Sequence, residues 1–442
     1  MKPLKMVFFI VLFLFVVGIG GVFFFYKFEG ETPSLHFTTD PSFVGKQTTL
    51  TIVCNDRRSG VKEIRVELIQ GNRSVPVFHE TYPPGTHGIE KPIVITPISL
   101  GFKDGTALLR AEGRDYSWRP RGNNIILEIP ITIDTLPPSV SVLSRLHYIN
   151  RGGAALIVYQ ASEKLVRSGV KVGDLWFPGY KVTQTGFLSF FAVPFDATDS
   201  PPITLVSEDL AGNLSRNTFH YRTKLKKFRH DTVSISDSFL NKVMPYFMDR
   251  DPSLRGDLLD VFLKVNRDLR KASNKKIQEL CRKTESQPLW SGSFLRMVGA
   301  KKMAGFADHR VYTYKGKKID RQYHLGIDLA STVMSPVKAA NRGKVVFTGE
   351  LGIYGNTIIL DHGCGLFSLY AHLNQIDVQV GQIVEKGQPI GITGTTGLAG
   401  GNHLHFSILV SGVFVNPTEW WDPHWIKDNV DKKLALLRST GR

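Results

Sequence analysis

Cysteine is scarce. The 442 residues hold three, Cys54, Cys281 and Cys364, an odd number spread over three regions. That excludes a disulfide framework. Acidic residues are short as well, 39 Asp and Glu against 55 Lys and Arg, which leaves +16 at pH 7. A surface of that sign suits polyanions or an anionic membrane. The glycine-rich stretch ITGTTGLAGGN lacks the Gly-Lys-Ser/Thr ending and the helix of a phosphate-binding loop, so that reading is discounted. It reads instead as a turn that lets backbone approach His403 closely.

What is present starts with a long apolar run. Met6 to Tyr26 is 21 residues without a charge, long enough at 1.5 Å per residue to cross a bilayer core. Lys2 and Lys5 precede it and favour a cytoplasmic N-terminus. The run is too long for a signal peptide and lacks a small-residue cleavage site. Residues 1–30 are therefore expected as a cytoplasmic tip and an uncleaved single-pass anchor in the cytoplasmic (inner) membrane. The bulk of the chain would lie on the extracytoplasmic, periplasmic side, which excludes nucleic acid as a partner.

The length of 442 residues predicts about three domains, and the fold class expected is mainly β. From Ser34 to Thr223 short β-branched runs such as TLTIVC, EIRVELI, SVSVLS and AALIVYQA alternate with Gly, Pro, Asn and Asp. Pro137-Pro138 divides this region into 34–136 and 138–230, two stretches of the size an immunoglobulin-like β-sandwich needs. They are expected to act as a spacer or to bind the wall or an envelope protein partner. Residues 235–287 read as a basic helical linker, with Leu258, Leu259, Phe262, Val265 and Leu269 at helical spacing. Its Lys and Arg run suits a solvated face or anionic headgroups. Residues 288–425 return to strands and glycines, an all-β domain, and 426–442 read as a basic tail.

Chemistry concentrates in 288–425. GNHLHFSILV places His403 and His405 two apart on a strand, hence on one face. YHLGIDLA places His324 and Asp328 four apart, roughly 13 Å on a straight strand and too far to share an ion. A bend at Gly326 is expected to bring them together. Two imidazoles and a carboxylate suit zinc, with a fourth position open for water whose pKa then falls to about 7. His372 in LYAHL, and His403, remain as proton carriers or oxyanion donors. His362 and Cys364 in DHGCG read as a hairpin turn, and Trp420 and Trp421 as packing.

The order His-x-Gly-x-Asp, then Tyr-x-His-Leu, then a glycine-rich loop into His-Leu-His-Phe resembles the lysostaphin-type (LytM-like) zinc metallopeptidases, the peptidoglycan endopeptidases. The resemblance covers about Pro288 to Pro417, and FADHRVYTYKGKKID resembles the family's entry segment. It implies His324, Asp328 and His405 as ligands of Zn2+, His372 and His403 as catalytic, and peptidoglycan cross-links as substrate. Some relatives have lost ligands and only activate other wall hydrolases, so a non-catalytic envelope regulator is the alternative. None of the five positions is lost here. VQVGQIVEKGQPIG also resembles a lipoyl/biotinyl hairpin, with Lys386 as the modified lysine, but a carrier has no use for those five residues.

Overall fold

The structure, a computed structural model, describes residues 3–120, 122–197 and 200–439. Strand outweighs helix, 44% to 18%, so the chain is mainly β. It divides into two compact units, Met1–Pro138 with Glu208–Leu214, and Ser139–Ser207 with Ser215–Arg442.

The first unit begins with the helix Pro3–Lys27. Val7–Phe25 has a mean hydropathy of 3.0 and none of it is buried, so the helix is long and apolar enough to cross a membrane. Its end is tied to the β region behind it. Trp118 N donates to Lys27 O (2.6 Å), Ser117 Oγ donates to Glu29 O (2.9 Å), and Phe23 meets Trp118 edge-on at 5.4 Å. Two sheets follow, one of Ser34–Phe37, Thr48–Asn55 and Gly88–Ile95, the other of five strands centred on Gly105–Asp115. Alternation along Thr48–Asn55 sends Leu50, Ile52 and Cys54 inward, where they share one core with Ile64, Val66 and Leu68 of Val61–Gln70. Cys54 is thereby a buried core residue.

In the second unit one core joins three stretches of chain: strands of the 139–207 region, the segment expected as a linker, and the C-terminal sheet. The linker reading of 235–287 captures the helices but not their docking. Asp237–Met248 starts on Ser236, whose Oγ accepts from Phe239 N, and Leu258–Lys264 starts on Asp257, whose carboxylate accepts from Leu259 N. The chain continues through a π-turn, Val265–Leu269, into Arg270–Leu280. Leu240, Met244, Phe247, Val261, Phe262, Val265 and Ile277 are all buried. Phe262 rests against Phe239 and Tyr312, with ring centroids at 6.2 and 5.7 Å. Just before these helices His230–Ile235 pairs in parallel with His309–Tyr314, which adds a backbone ladder to the side-chain contact.

The C-terminal sheet runs Lys301–Ala304, Ile327–Ala330, Leu404–Val410, Leu366–Ile376, Asn356–Gly363, Gly343–Glu350 and Ile383–Val384, with three further short strands beside this path. Every residue of Leu404–Val410 is buried, so the strand is covered on both faces. The stretch expected as a basic tail is also structured. Ile426, Val430 and Leu437 recur at helical spacing and are buried, and Lys433 Nζ donates to Leu156 O (2.9 Å). Trp420, fully buried among Phe190, Trp290, Phe294 and Trp425, packs as expected.

Candidate metal and catalytic site

Three strands set the site. Ile327–Ala330 pairs antiparallel with Leu404–Val410 in the register Asp328↔His405, so the two side chains stand opposite each other on one face. Alternation puts Leu404 and Phe406 on the other face, where Phe406 lies opposite Tyr370 and Ile327 in the core. His324, just after the strand Lys317–Tyr323, comes back over the same face, its Nε2 2.9 Å from Asp328 Oδ1 and 3.0 Å from His405 Nδ1. His405 Nδ1 is likewise 2.9 Å from Asp328 Oδ1.

Gly326 has a second role beside the expected bend. It is not among the glycines with a left-handed backbone. A Cβ there would collide with the His405 ring and the Ser407 hydroxyl. The chain bends at Gly326 as expected, and the glycine also makes room for the opposing His405 ring.

Hydrogen bonds fix the tautomers. His324 Nδ1–H donates to Gly305 O (2.7 Å). Ser407 donates its hydroxyl proton to Leu325 O (2.8 Å) and so accepts from His405 Nε2–H (3.1 Å). In the neutral imidazoles, lone pairs are left at His324 Nε2 and His405 Nδ1. These and the Asp328 oxygen form a triangle with edges of 2.9–3.0 Å. Three electron-rich atoms at that separation repel unless a cation lies among them. In a tetrahedral shell of radius about 2.0–2.1 Å the donors sit about 3.3 Å apart, so the triangle fits a small divalent ion. Arg310 Nη2 holds the other oxygen of Asp328 at 3.1 Å, the outer support that orients a ligating carboxylate. Burial pushes the Asp328 carboxyl up, but its interaction with His324, with hydrogen bonds from His403 and His405, outweighs that and holds it well below the usual carboxylate range. Burial also pushes His405 down to about 4, which favours the neutral, metal-binding form.

His372 and His403 stand beside the triangle. Their rings are 4.8 Å apart, and His372 lies 5.7 Å from the His405 ring. His372 has φ +62°, at an irregularity where Ala371 still pairs with His405 but the register toward Asn356–Gly363 slips. This bulge and its left-handed backbone aim the imidazole out of the sheet. The glycine-rich loop holds both rings. Thr396 O accepts from His372 Nδ1–H and Gly401 O from His403 Nδ1–H, each at 2.8 Å, and the Nε2 of His403 lies 3.5 Å from Asp328 Oδ1. Burial pushes His372 well down, with His403 and His405 adding to it. For His403 burial is outweighed by Asp328, which raises it.

All five residues line one cavity of about 270 Å³. Its other walls were not foreseen from sequence. Tyr354 lies 5.4 Å from the His405 ring, with its hydroxyl donated to Asn274 Oδ1 (2.8 Å). Arg310, Arg270, Phe239 and Phe262 also line it. The signals were present but ambiguous: Tyr354 precedes a Gly-Asn turn, and Arg310 sits inside FADHRVYTYKGKKID.

His362 belongs to the core, not to a metal pair with Cys364. Its Nδ1–H donates to Arg342 O, and its Nε2 is 2.7 Å from Ser368 Oγ. Burial pushes it down to about 4, and burial does the same to His147. In the unfolded chain a histidine titrates near 6.5. The unfolded state therefore takes up protons first, and stability is complete above about pH 6.5 and lost as pH falls toward 4. Chemical unfolding at pH 7 and pH 4 should show a loss of about 3 kcal/mol for each of these two histidines. His362→Gln should shrink that pH difference, and an unchanged difference would count against the buried-neutral reading.

Residues 322–417 match Peptidase family M23, so the C-terminal part of the chain carries a domain of that family. The DD-carboxypeptidase/endopeptidase Mpg of Neisseria meningitidis serogroup B is 40% identical over 94 residues, 21% of this chain and 22% of that one. The peptidoglycan DD-endopeptidase ShyA of Vibrio cholerae is 40% identical over 93 residues, with the same coverage. The match spans less than a quarter of the length of these relatives. The catalytic domain of lysostaphin from Staphylococcus simulans shares 31% identity, covering 28% of this chain and 92% of that one, with a TM-score of 0.25.

Proposed function

We propose, with the M23 domain as premise, that this protein is a membrane-anchored zinc endopeptidase that hydrolyses amide bonds of peptidoglycan cross-links. The observation that carries the reading is the triangle of His324 Nε2, Asp328 Oδ1 and His405 Nδ1, whose lone pairs converge within 2.9–3.0 Å. Those three residues hold the ion. When bound, zinc supplies the Lewis acidity that makes water nucleophilic near neutral pH. His372 and His403, each with Nδ1–H bound to backbone, take up and return the proton at Nε2. Arg310 keeps Asp328 charged and oriented. Phe239 and Phe262 wall the cavity with apolar surface, which excludes water and strengthens the electrostatics inside.

The N-terminal helix places the enzyme on the membrane, and the β regions that intervene in the chain act as a spacer. A substrate fixed outside the membrane suits a tethered enzyme, and +16 suits anionic envelope polymers. Purified full-length protein in detergent should contain about one zinc per chain by elemental analysis and release peptides from sacculi. Stripping the metal with a chelator should stop release, and added zinc should restore it. Bound zinc with no release from any sacculus type would instead support the regulator reading.

A further inference from the structure

Two guanidinium groups line the cavity of the metal triangle, and among the described residues lining it Asp328 is the sole carboxylate. Arg310 is largely spent on that carboxylate, through Nη2 at 3.1 Å, yet its Nε is buried without a partner. Arg270 has no carboxylate at all among the described residues. Its Nε and Nη2 grip Asn266 O (3.1 Å) and Asn266 Oδ1 (2.7 Å), so the fork is held still by neutral groups. Asn274, one turn further on the same helix face, accepts from Tyr354, the tyrosine beside His405. Arg270 is thus braced next to the reacting region with its positive charge unanswered. The cavity walls carry one net positive charge before any divalent ion is added.

We propose that Arg270, supported by Arg310, is a specificity-determining residue that binds a free carboxylate adjoining the scissile amide. The substrate class is a peptide whose carboxyl group flanks the bond to be cut. A planar, fixed guanidinium matches a carboxylate's two oxygens, and a charge-assisted bond in a partly dry cavity discriminates strongly against the neutral amide. Asn266, fully buried, occupies the Nε–Nη2 edge and leaves the Nη1 side of the guanidinium for the substrate. Arg270 comes from the helical segment that precedes the M23 match, so the segment is part of the substrate site. The inference rests on the endopeptidase reading above.

The test uses the zinc-loaded full chain and two synthetic cross-linked peptides that differ only in a carboxylate or a carboxamide next to the scissile bond. KM and kcat are measured for both, and Kd by calorimetry for the pair with an N-methylated, uncleavable amide. The carboxylate form should be preferred on the order of tenfold or more, through KM and Kd. Arg270→Gln should erase the preference, and Arg270→Lys should keep part of it. Equal treatment of both peptides by the native chain overturns the proposal, as does an Arg270→Gln loss that is the same factor for both. A chain that binds the carboxylate analogue preferentially but cleaves neither peptide supports the carboxylate site and refutes the peptidase function instead.

Discussion

Replacing His405 with alanine should take zinc content from about one per chain to nearly none and lower peptide release from sacculi at least about 10³-fold. The expectation follows from how little redundancy the triangle has. His405 Nδ1 is 2.9 Å from Asp328 Oδ1 and 3.0 Å from His324 Nε2. Its loss leaves two donors on one side of the ion. His324→Ala should behave the same way. His372→Ala is the control that separates binding from chemistry. It should retain zinc and lose about 10²- to 10⁴-fold in rate, the span of a proton-transfer catalyst. A His405→Ala protein with native zinc content and native rate would sink the ligand assignment.

Phe262→Ala should destabilise the C-terminal unit by about 3–5 kcal/mol, the usual cost of emptying a buried aromatic site. Phe262 is 1% exposed, packs on Phe239 and Tyr312, and lines the metal cavity. Neither partner ring is free to swing in, since Tyr312 is fixed in the ladder with His230–Ile235 and Phe239 lies in the capped turn that begins at Ser236. Denaturant unfolding followed by a probe in this unit gives the number directly. An exposed residue, Leu225 at 72%, serves as comparison, and its alanine variant should stay within about 0.5 kcal/mol of the native chain. If Phe262→Ala unfolds within 1 kcal/mol of the parent, the helices are not part of the peptidase core.

The candidate triangle of His324, Asp328 and His405 was legible through residue type and motif order, and strand periodicity supplied one part of it. His403 and His405 share a face by alternation, and the apolar Leu404 and Phe406 declare which face is core. The position of Asp328 opposite His405 depends on register, which no local pattern states. Gly326 shows the same limit. Its bend was visible, but the close approach of His405, 79 residues away, was not. The left-handed backbone at His372 was also hidden, because LYAHL reads as a plain strand. Helical spacing in 235–287 correctly marked an apolar stripe, but periodicity does not name the surface that covers it. Arg270 and Arg310 were lost in the overall basic charge, where a cation aimed into a cleft looks like any other. At 426–442 the Lys and Arg residues drew attention away from Ile426, Val430 and Leu437, which carry the packing.

The ring nitrogens of His372 and His403 hang from two carbonyls of a single glycine-rich loop, while the three ligands are pinned by Gly305, Leu325, Ser407 and strand register. Under the proposed assignment, holding the ion and shuttling protons are mounted on separate mechanical parts. Lengthening or shortening 394–402 by one residue would put both shuttles out of alignment in a single stroke. The product would be a charged but idling machine, fully loaded with metal and unable to turn over.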